Sequence, residues 1–406
     1  MNSVNSKYIP WKMLGWLFFI QLLIAFVARS LAPLGLIIGE DFQLTKSQIG
    51  MIPAALFLGQ SLISIPAGLL TDKIGSRKMI LFITLLLSGS FFVISIISSF
   101  IIILFFIIIA GFAYGASHPT TNRGVIYWFP IQTRGTAMGL KQMGVTLGSA
   151  LAALILLPVA SSFSWQSATF IASLSLFIVG VCIYMVYHEP KNSLQEKIHS
   201  VEKVNFRSIL HMFKHKALIL ITFSAMLLSG TQMILNTFII LFAHEKVGIS
   251  LILSGVLIGI AELGGSLGRI CWGVISDRLF QGKRIIVLLL ISFLVGNVSI
   301  IVALLPHGVS YYTMIIIVFI FGFGASGFNG VWMNATTEIV PPSISGVATG
   351  FSITFGSWGV IFFPPLFGWI VDKTDSYDIG WFFVTFLMVL STISLLLVIK
   401  SKDKSK

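Results

Sequence analysis

The chain has 406 residues, of which 56% are apolar and only 10% charged, and its formal net charge at pH 7 is +12. A water-soluble protein of this size carries roughly 25% charged residues to cover its surface, so this composition excludes a soluble enzyme or binding module. Two cysteines exclude a disulfide framework beyond one bridge, and neither has metal-ligand spacing to a partner, so no metal or cofactor is expected.

Twelve apolar stretches follow one another along the chain: Met13–Ile38, Gln48–Leu70, Ile80–Ile97, Phe100–Val125, Ala137–Val159, Trp165–Tyr187, Ala217–Phe242, Leu251–Ile275, Ile285–Leu305, Tyr311–Thr336, Ile344–Ile370 and Gly380–Ile399. Each reaches about 20 residues, the length a helix needs to cross ~30 Å of hydrocarbon. The pattern predicts an all-α membrane protein with twelve spans, embedded in the lipids of a cell membrane. The first stretch is too long for a signal peptide and lacks a small-residue cleavage site, so it is expected to remain as span one.

The basic residues are unevenly placed. With the N-terminus inside, Lys46, Lys246 and Lys373 fall in external segments and Arg29, Arg123, Lys141 and Arg269 within spans; the rest lie in segments assigned to the cytoplasm. External segments carry Glu40, Asp41, Glu245, Asp372, Asp375 and Asp378 instead. This positive-inside bias puts both termini in the cytoplasm and accounts for the basic charge without a nucleic-acid partner.

Residues 188–216 form the one long polar stretch inside the chain, with six spans on either side. The expected organisation is a six-helix bundle over 1–187, a cytoplasmic loop over 188–216 and a second six-helix bundle over 217–406. The halves echo each other. "AGLLTDKIGSRK" closes span two with Gly68, Asp72, Lys73, Gly75, Arg77 and Lys78; "WGVISDRLFQGKR" closes span eight with Gly273, Asp277, Arg278, Gly282, Lys283 and Arg284. "YGASH" in span four parallels "FGASG" in span ten, and "FPIQTRGTAMG" before span five parallels "VPPSISGVATG" before span eleven. Internal repeats of this kind are typical of transporters whose halves rock around a central site.

These residues resemble the loop motif of the major facilitator superfamily, and the resemblance covers the whole chain. It implies that fold, with two pseudo-symmetric six-helix bundles, and a transporter rather than an enzyme. It also implies that Asp72 and Asp277, with their basic neighbours, tie helix ends together and steady one access state. On physical grounds Gly68 and Gly273 are expected to allow close helix approach, and an Asp suits the positive N-terminus of a neighbouring helix.

Charges within spans carry the substrate argument. A central Arg, Lys or Asp costs roughly 2.5–3.5 kcal/mol on insertion scales and faces a cavity or a partner. Arg29 sits deep in span one with no acidic residue beside it on that span, a guanidinium fork suited to a carboxylate, phosphate or nitrate. Arg123 lies in span four, Lys141 early in span five, and Glu262 and Arg269 in span eight. Lys141 is expected either to draw anions into the inner mouth or to snorkel. Glu262, the one carboxylate in mid-span, is a proton-carrying candidate, or a structural partner of Arg269 two turns away. His118 in span four is a second proton candidate, or a packing residue.

The placement of Arg29 resembles the span-one arginine of sugar-phosphate antiporters and anion:cation symporters, and "PTTNRGVIYWFP" resembles their fourth span. Arg269 resembles the span-eight arginine of nitrate/nitrite porters. Three departures narrow the substrate: Gln232 and Asn236 stand where phosphate-ester antiporters have a second Arg, Ala28 where symporters often have an acid, and Ser64 where nitrate porters have an Arg. One strong cationic site remains, suited to a monovalent or modest carboxylate.

The expected function is secondary transport of a small carboxylate-type anion by alternating access, as proton-coupled uptake by a monomer. Arg29, Arg269 and Lys141 supply cations, Gln232, Asn236 and Asn329 hydrogen bonds, and Glu262 or His118 the proton. The alternatives are efflux of lipophilic compounds, nitrate or phosphate-ester exchange, and a transporter-like sensor. Gly144-x3-Gly148, Gly264-x3-Gly268 and Gly346-x3-Gly350 read as packing faces, and Pro33, Pro66, Pro119, Pro158, Pro364 and Pro365 as kinks.

Overall fold

The computed structural model describes residues 3–189, 212–341 and 345–403, and all its regular structure is helical. Eleven of the described helices are long and apolar enough to cross a membrane, and the bent pair Lys46–Ser64 with Pro66–Ile74 makes a twelfth. The reason is the solvent: in hydrocarbon every backbone N–H and C=O must find its partner within the chain, which a helix achieves locally. The chain is an integral, multi-pass membrane protein.

Span one is Ser3–Ala28 followed by a short helix, Gly35–Phe42. Spans two, three and four are Lys46–Ile74, Ser76–Ile94 and Phe100–Trp128. Span five is Ile131–Leu151, carried by a π-turn into Leu157–Ser162, and span six is Trp165–Val186. Span seven is Lys216–Leu241, span eight Leu251–Val274 and span nine Arg284–Ala303. Span ten is divided into Tyr311–Ala325 and Asn329–Glu338, span eleven into Ser345–Gly356 and Trp358–Thr374, and span twelve is Tyr377–Asp403. Much of the central polar stretch (residues 190–211, including Lys191, Lys197, Lys203 and Arg207) lies outside the described residues.

The described chain forms two compact units: residues 3–38 with 55–189, and residues 39–54 with 212–341 and 345–403. In the first, span one lies along span five, and span three packs on spans four and six. In the second, span eight lies along span ten, and span twelve packs on spans seven and nine. The N-terminal end of span two, up to residue 54, belongs to the second unit. There the backbone N–H groups of Lys46 and Ser47 donate to the Asp372 carboxylate at 2.8 and 2.9 Å, and Lys46 forms an ion pair with Glu245. Lys246 pairs with Asp378 at 3.1 Å in the same unit.

Glycine sets the closest helix contacts. A Cβ on Gly148 would lie 2.2 Å from the Leu22 carbonyl oxygen, and one on Gly268 2.2 Å from that of Phe323, so neither helix pair tolerates a side chain there. Two of the three glycine faces are therefore in contact as the sequence suggests. The third differs, because a Cβ on Gly350 meets nothing within 4 Å. Gly68 and Gly273 also differ from expectation: both face open space, so neither supports close helix approach. The glycines that the doubled phrase requires are Gly75 and Gly282, whose φ angles of 85° and 79° lie in the left-handed region that favours glycine.

Prolines act unevenly. Span one breaks over residues 29–34, which contain Pro33. Span four runs unbroken through Pro119, and span ten breaks at Ser326–Phe328 with no proline in it. The echo between "YGASH" and "FGASG" thus hides a structural difference. His118 continues a helix, whereas Gly327 ends its copy at a break, consistent with the poor helix propensity of glycine.

Candidate functional site

The break in span one places Arg29 at the end of a helix, within a segment flanked by apolar residues. Its backbone N–H still donates to the Ala25 carbonyl at 3.0 Å, while its Nε donates to the Tyr114 hydroxyl at 3.1 Å. The guanidinium carbon stands 6.0 Å from the centre of the Tyr114 ring. Tyr114 is buried and held edge-on by Phe57 and His118, with ring centres 6.0 and 5.8 Å away. The aromatic ring fixes the arginine laterally through a hydrogen bond and the attraction of its π face for a cation.

Two turns along the same helices lies a second polar group. Lys141 of span five is 1% exposed. Its ammonium donates to Asn122 Oδ1 at 2.5 Å and to Thr121 Oγ1 at 3.2 Å, both on span four. Thr121 Oγ1 donates in turn to Gln21 Oε1 of span one at 2.9 Å, and Gln21 is fully buried. Snorkelling toward solvent is thereby contradicted for Lys141, because its amine turns inward onto neutral oxygens. Tyr114, His118 and Thr121 recur at helical spacing, so span four offers one polar face to both cations.

The second unit holds the carboxylate. Glu262 is 1% exposed, and its Oε1 accepts a hydrogen bond from Asn236 Nδ2 at 3.0 Å. Asn236, read from the sequence as a substrate contact, is engaged with Glu262. The break in span ten frees the Ser326 carbonyl, which accepts from Arg269 Nε at 3.1 Å and from Asn329 Nδ2 at 3.3 Å. Arg269 and Asn329 thus close the gap between two half-helices. Gln232 is half-buried on span seven. Among the described residues no cluster of His, Cys, Asp or Glu is arranged to hold a metal ion.

The doubled phrase is built differently in each unit. Asp72 forms an ion pair with Arg123 of span four, whose Nε also donates to the Tyr127 hydroxyl. Arg123 therefore serves the end of span two. The helix N-terminus beside Gly75 is capped not by Asp72 but by Glu189, whose carboxylate accepts from the backbone N–H groups of Ser76 and Arg77. Arg77 donates to the Tyr184 carbonyl at 3.0 Å, with its guanidinium 4.9 Å from the Tyr184 ring centre. In the second unit Asp277 pairs with Arg284, which also reaches Glu338 at 3.2 Å and Ser276 Oγ at 2.9 Å. Lys73 and Arg278 are exposed.

Sequence reasoning missed Gln21, Tyr114, Thr121 and Asn122. Neutral polar residues carry a smaller insertion cost than charges, so nothing in their identity singles them out. The available signal was position: Gln21 stands two helical turns before Arg29, and Thr121 two turns after Tyr114 on one face.

Twelve apolar helices with internally repeated halves, helix breaks beside the half-buried Arg29 and Arg269, and ion pairs closing the second span of each half define a polytopic membrane transporter, not an enzyme. The sequence matches the Major Facilitator Superfamily over residues 17–364 and 282–406, and the chain belongs to that family. It is similar to the probable sulfoacetate transporter SauU of Cupriavidus necator, 22% identical, with 84% of this chain and 83% of that one covered. It is also similar to the probable galactarate/D-glucarate transporter GarP of Escherichia coli, 21% identical, covering 91% and 90%. Among solved structures, that of the nucleoside transporter NupG shares the fold at a TM-score of 0.78, with 16% identity and coverage of 96% and 99%.

Proposed function

We propose that the protein carries a small organic anion of the carboxylate class across the membrane by alternating access, as proton-coupled uptake. One observation carries this reading: a guanidinium stands at the broken end of span one, steadied by a buried tyrosine hydroxyl. Cations held at such depth are costly unless they serve a pathway or a partner, and an arginine fork matches a carboxylate in two hydrogen bonds. The names of SauU and GarP, a probable sulfoacetate transporter and a probable galactarate/D-glucarate transporter, support the same substrate class.

In this reading Arg29 binds the anionic head, and Lys141 adds a second positive charge in the same unit. Gln232 offers a hydrogen bond, while Asn236 and Asn329 position Glu262 and the span-ten break. Glu262 carries the proton, with His118 as the other candidate. Asp72 with Arg123, and Asp277 with Arg284, brace the helix ends. The excess of basic residues in the segments assigned inside supports cytoplasmic termini.

Uptake of labelled carboxylates into proteoliposomes tests the reading. Transport should fall at least tenfold in Arg29→Gln. In Glu262→Gln exchange should persist while accumulation against a gradient is lost. Wild-type rate and affinity in Arg29→Gln would overturn the anion site, and lipophilic cations as the sole substrates would favour efflux.

A further inference from the structure

Lys141 presents an unusual combination. Its side chain is 1% exposed, its hydrogen-bond partners are the neutral oxygens of Thr121 and Asn122, and no carboxylate among the described residues lies within ion-pair distance. Beside it, Gln21 Oε1 accepts from Thr121, which leaves Gln21 Nε2 as a buried donor with no acceptor. A buried ammonium held only by neutral groups and a buried amide N–H without an acceptor are each unfavourable alone. Both side chains meet at the Thr121 hydroxyl, so an anionic oxygen entering beside it would have a donor from each.

We propose that Lys141 and Gln21 form a second anion subsite, so that the preferred substrate is a dianion bridging Arg29 and Lys141. This rests on the assignment of Arg29 to the anionic head. The spacing fits. Arg29 is tied to Tyr114 and Lys141 to Thr121, seven residues further along span four, or about 10 Å at 1.5 Å per residue. An extended carbon chain advances roughly 1.2 Å per bond, and each charged hydrogen bond adds about 2.8 Å. Dicarboxylates of about four to six carbons match this separation of the two anchors, whereas a monocarboxylate of the same length engages one cation alone.

The test is ligand-dependent thermal stability of the full-length purified protein. The probes are matched pairs that differ at one terminal carbon: D-glucarate with D-gluconate, adipate with hexanoate, and succinate with butyrate. The wild type should bind the dianion of at least one pair tenfold or more tightly than its partner. In Lys141→Met the preference should fall to about twofold or less through loss of dianion affinity, and Lys141→Arg should retain it. The ligand-free Lys141→Met protein should melt at or above the wild type, since an uncompensated buried charge has been removed.

Several results would overturn the subsite. These are a preserved dianion preference in Lys141→Met, equal loss of both members of a pair, a much lower ligand-free melting point, or no stabilisation of the wild type by any dianion. Arg29→Gln separates the two claims. If it leaves every affinity unchanged while Lys141→Met removes the preference, the head-group assignment fails and the Lys141 subsite stands.

Discussion

Arg123 lies near the end of span four, five residues before Trp128, and its partner Asp72 is 51 residues away and reads as part of a loop motif. Sequence shows the cost of a charge but not its partner, and so Arg123 reads from the sequence only as one of several charges within spans. Arg29 is legible because the sequence puts no acidic residue beside it on its span; Lys141 is legible as a charge, but not in its depth. The pair at the end of span two has a measurable consequence. Asp72 is more than half exposed and Arg123 is not, so Asp72→Asn strands a mostly buried guanidinium while losing a screened contact. The expected destabilisation is about 1–2 kcal/mol, below that of a fully buried pair. A melting-point drop in Asp72→Asn that the charge-swapped Asp72→Arg/Arg123→Asp protein recovers would verify it; an unchanged melting point would refute it.

At the scale of the helix, packing glycines separate into two kinds that look alike in the sequence. Gly148 and Gly268 touch the backbone of a neighbouring span, which cannot move aside as a side chain can. Gly148→Val should cost about 3 kcal/mol or more, the upper end for overpacking, and sharply lower the yield of folded protein. Gly68→Ala places its methyl in open space, and its melting point should match the wild type within the ±0.5 kcal/mol usual for surface changes. Periodicity alone made both equally plausible as contact points. The breaks in spans one and ten show the same limit: Pro33 advertises one, whereas the other follows from Gly327 and the pull of Arg269 and Asn329 on a freed carbonyl. Arg269→Leu should loosen that break, readable as faster hydrogen exchange at Phe328 and Asn329 than elsewhere in span ten.

For the molecule as a whole, hydropathy and repeated phrases were enough to read the architecture, because a bilayer permits few solutions for a buried backbone. What they could not place was the grouping of chain segments by contact, such as residues 39–54 with the second unit. One contact carries a consequence for how the protein can be manufactured. Glu189 follows span six, just ahead of residues 190–211, and its carboxylate closes the start of span three more than a hundred residues earlier. A gene divided beyond that codon therefore yields a first fragment with its own helix lock, and the two co-expressed fragments should reassemble into a working carrier. Dividing the gene two codons earlier removes Glu189 from the first fragment, and the cognate pair should then accumulate poorly in the membrane. Comparing the two cut points by membrane abundance and uptake would show how much of the first half's integrity hangs on a single acidic side chain.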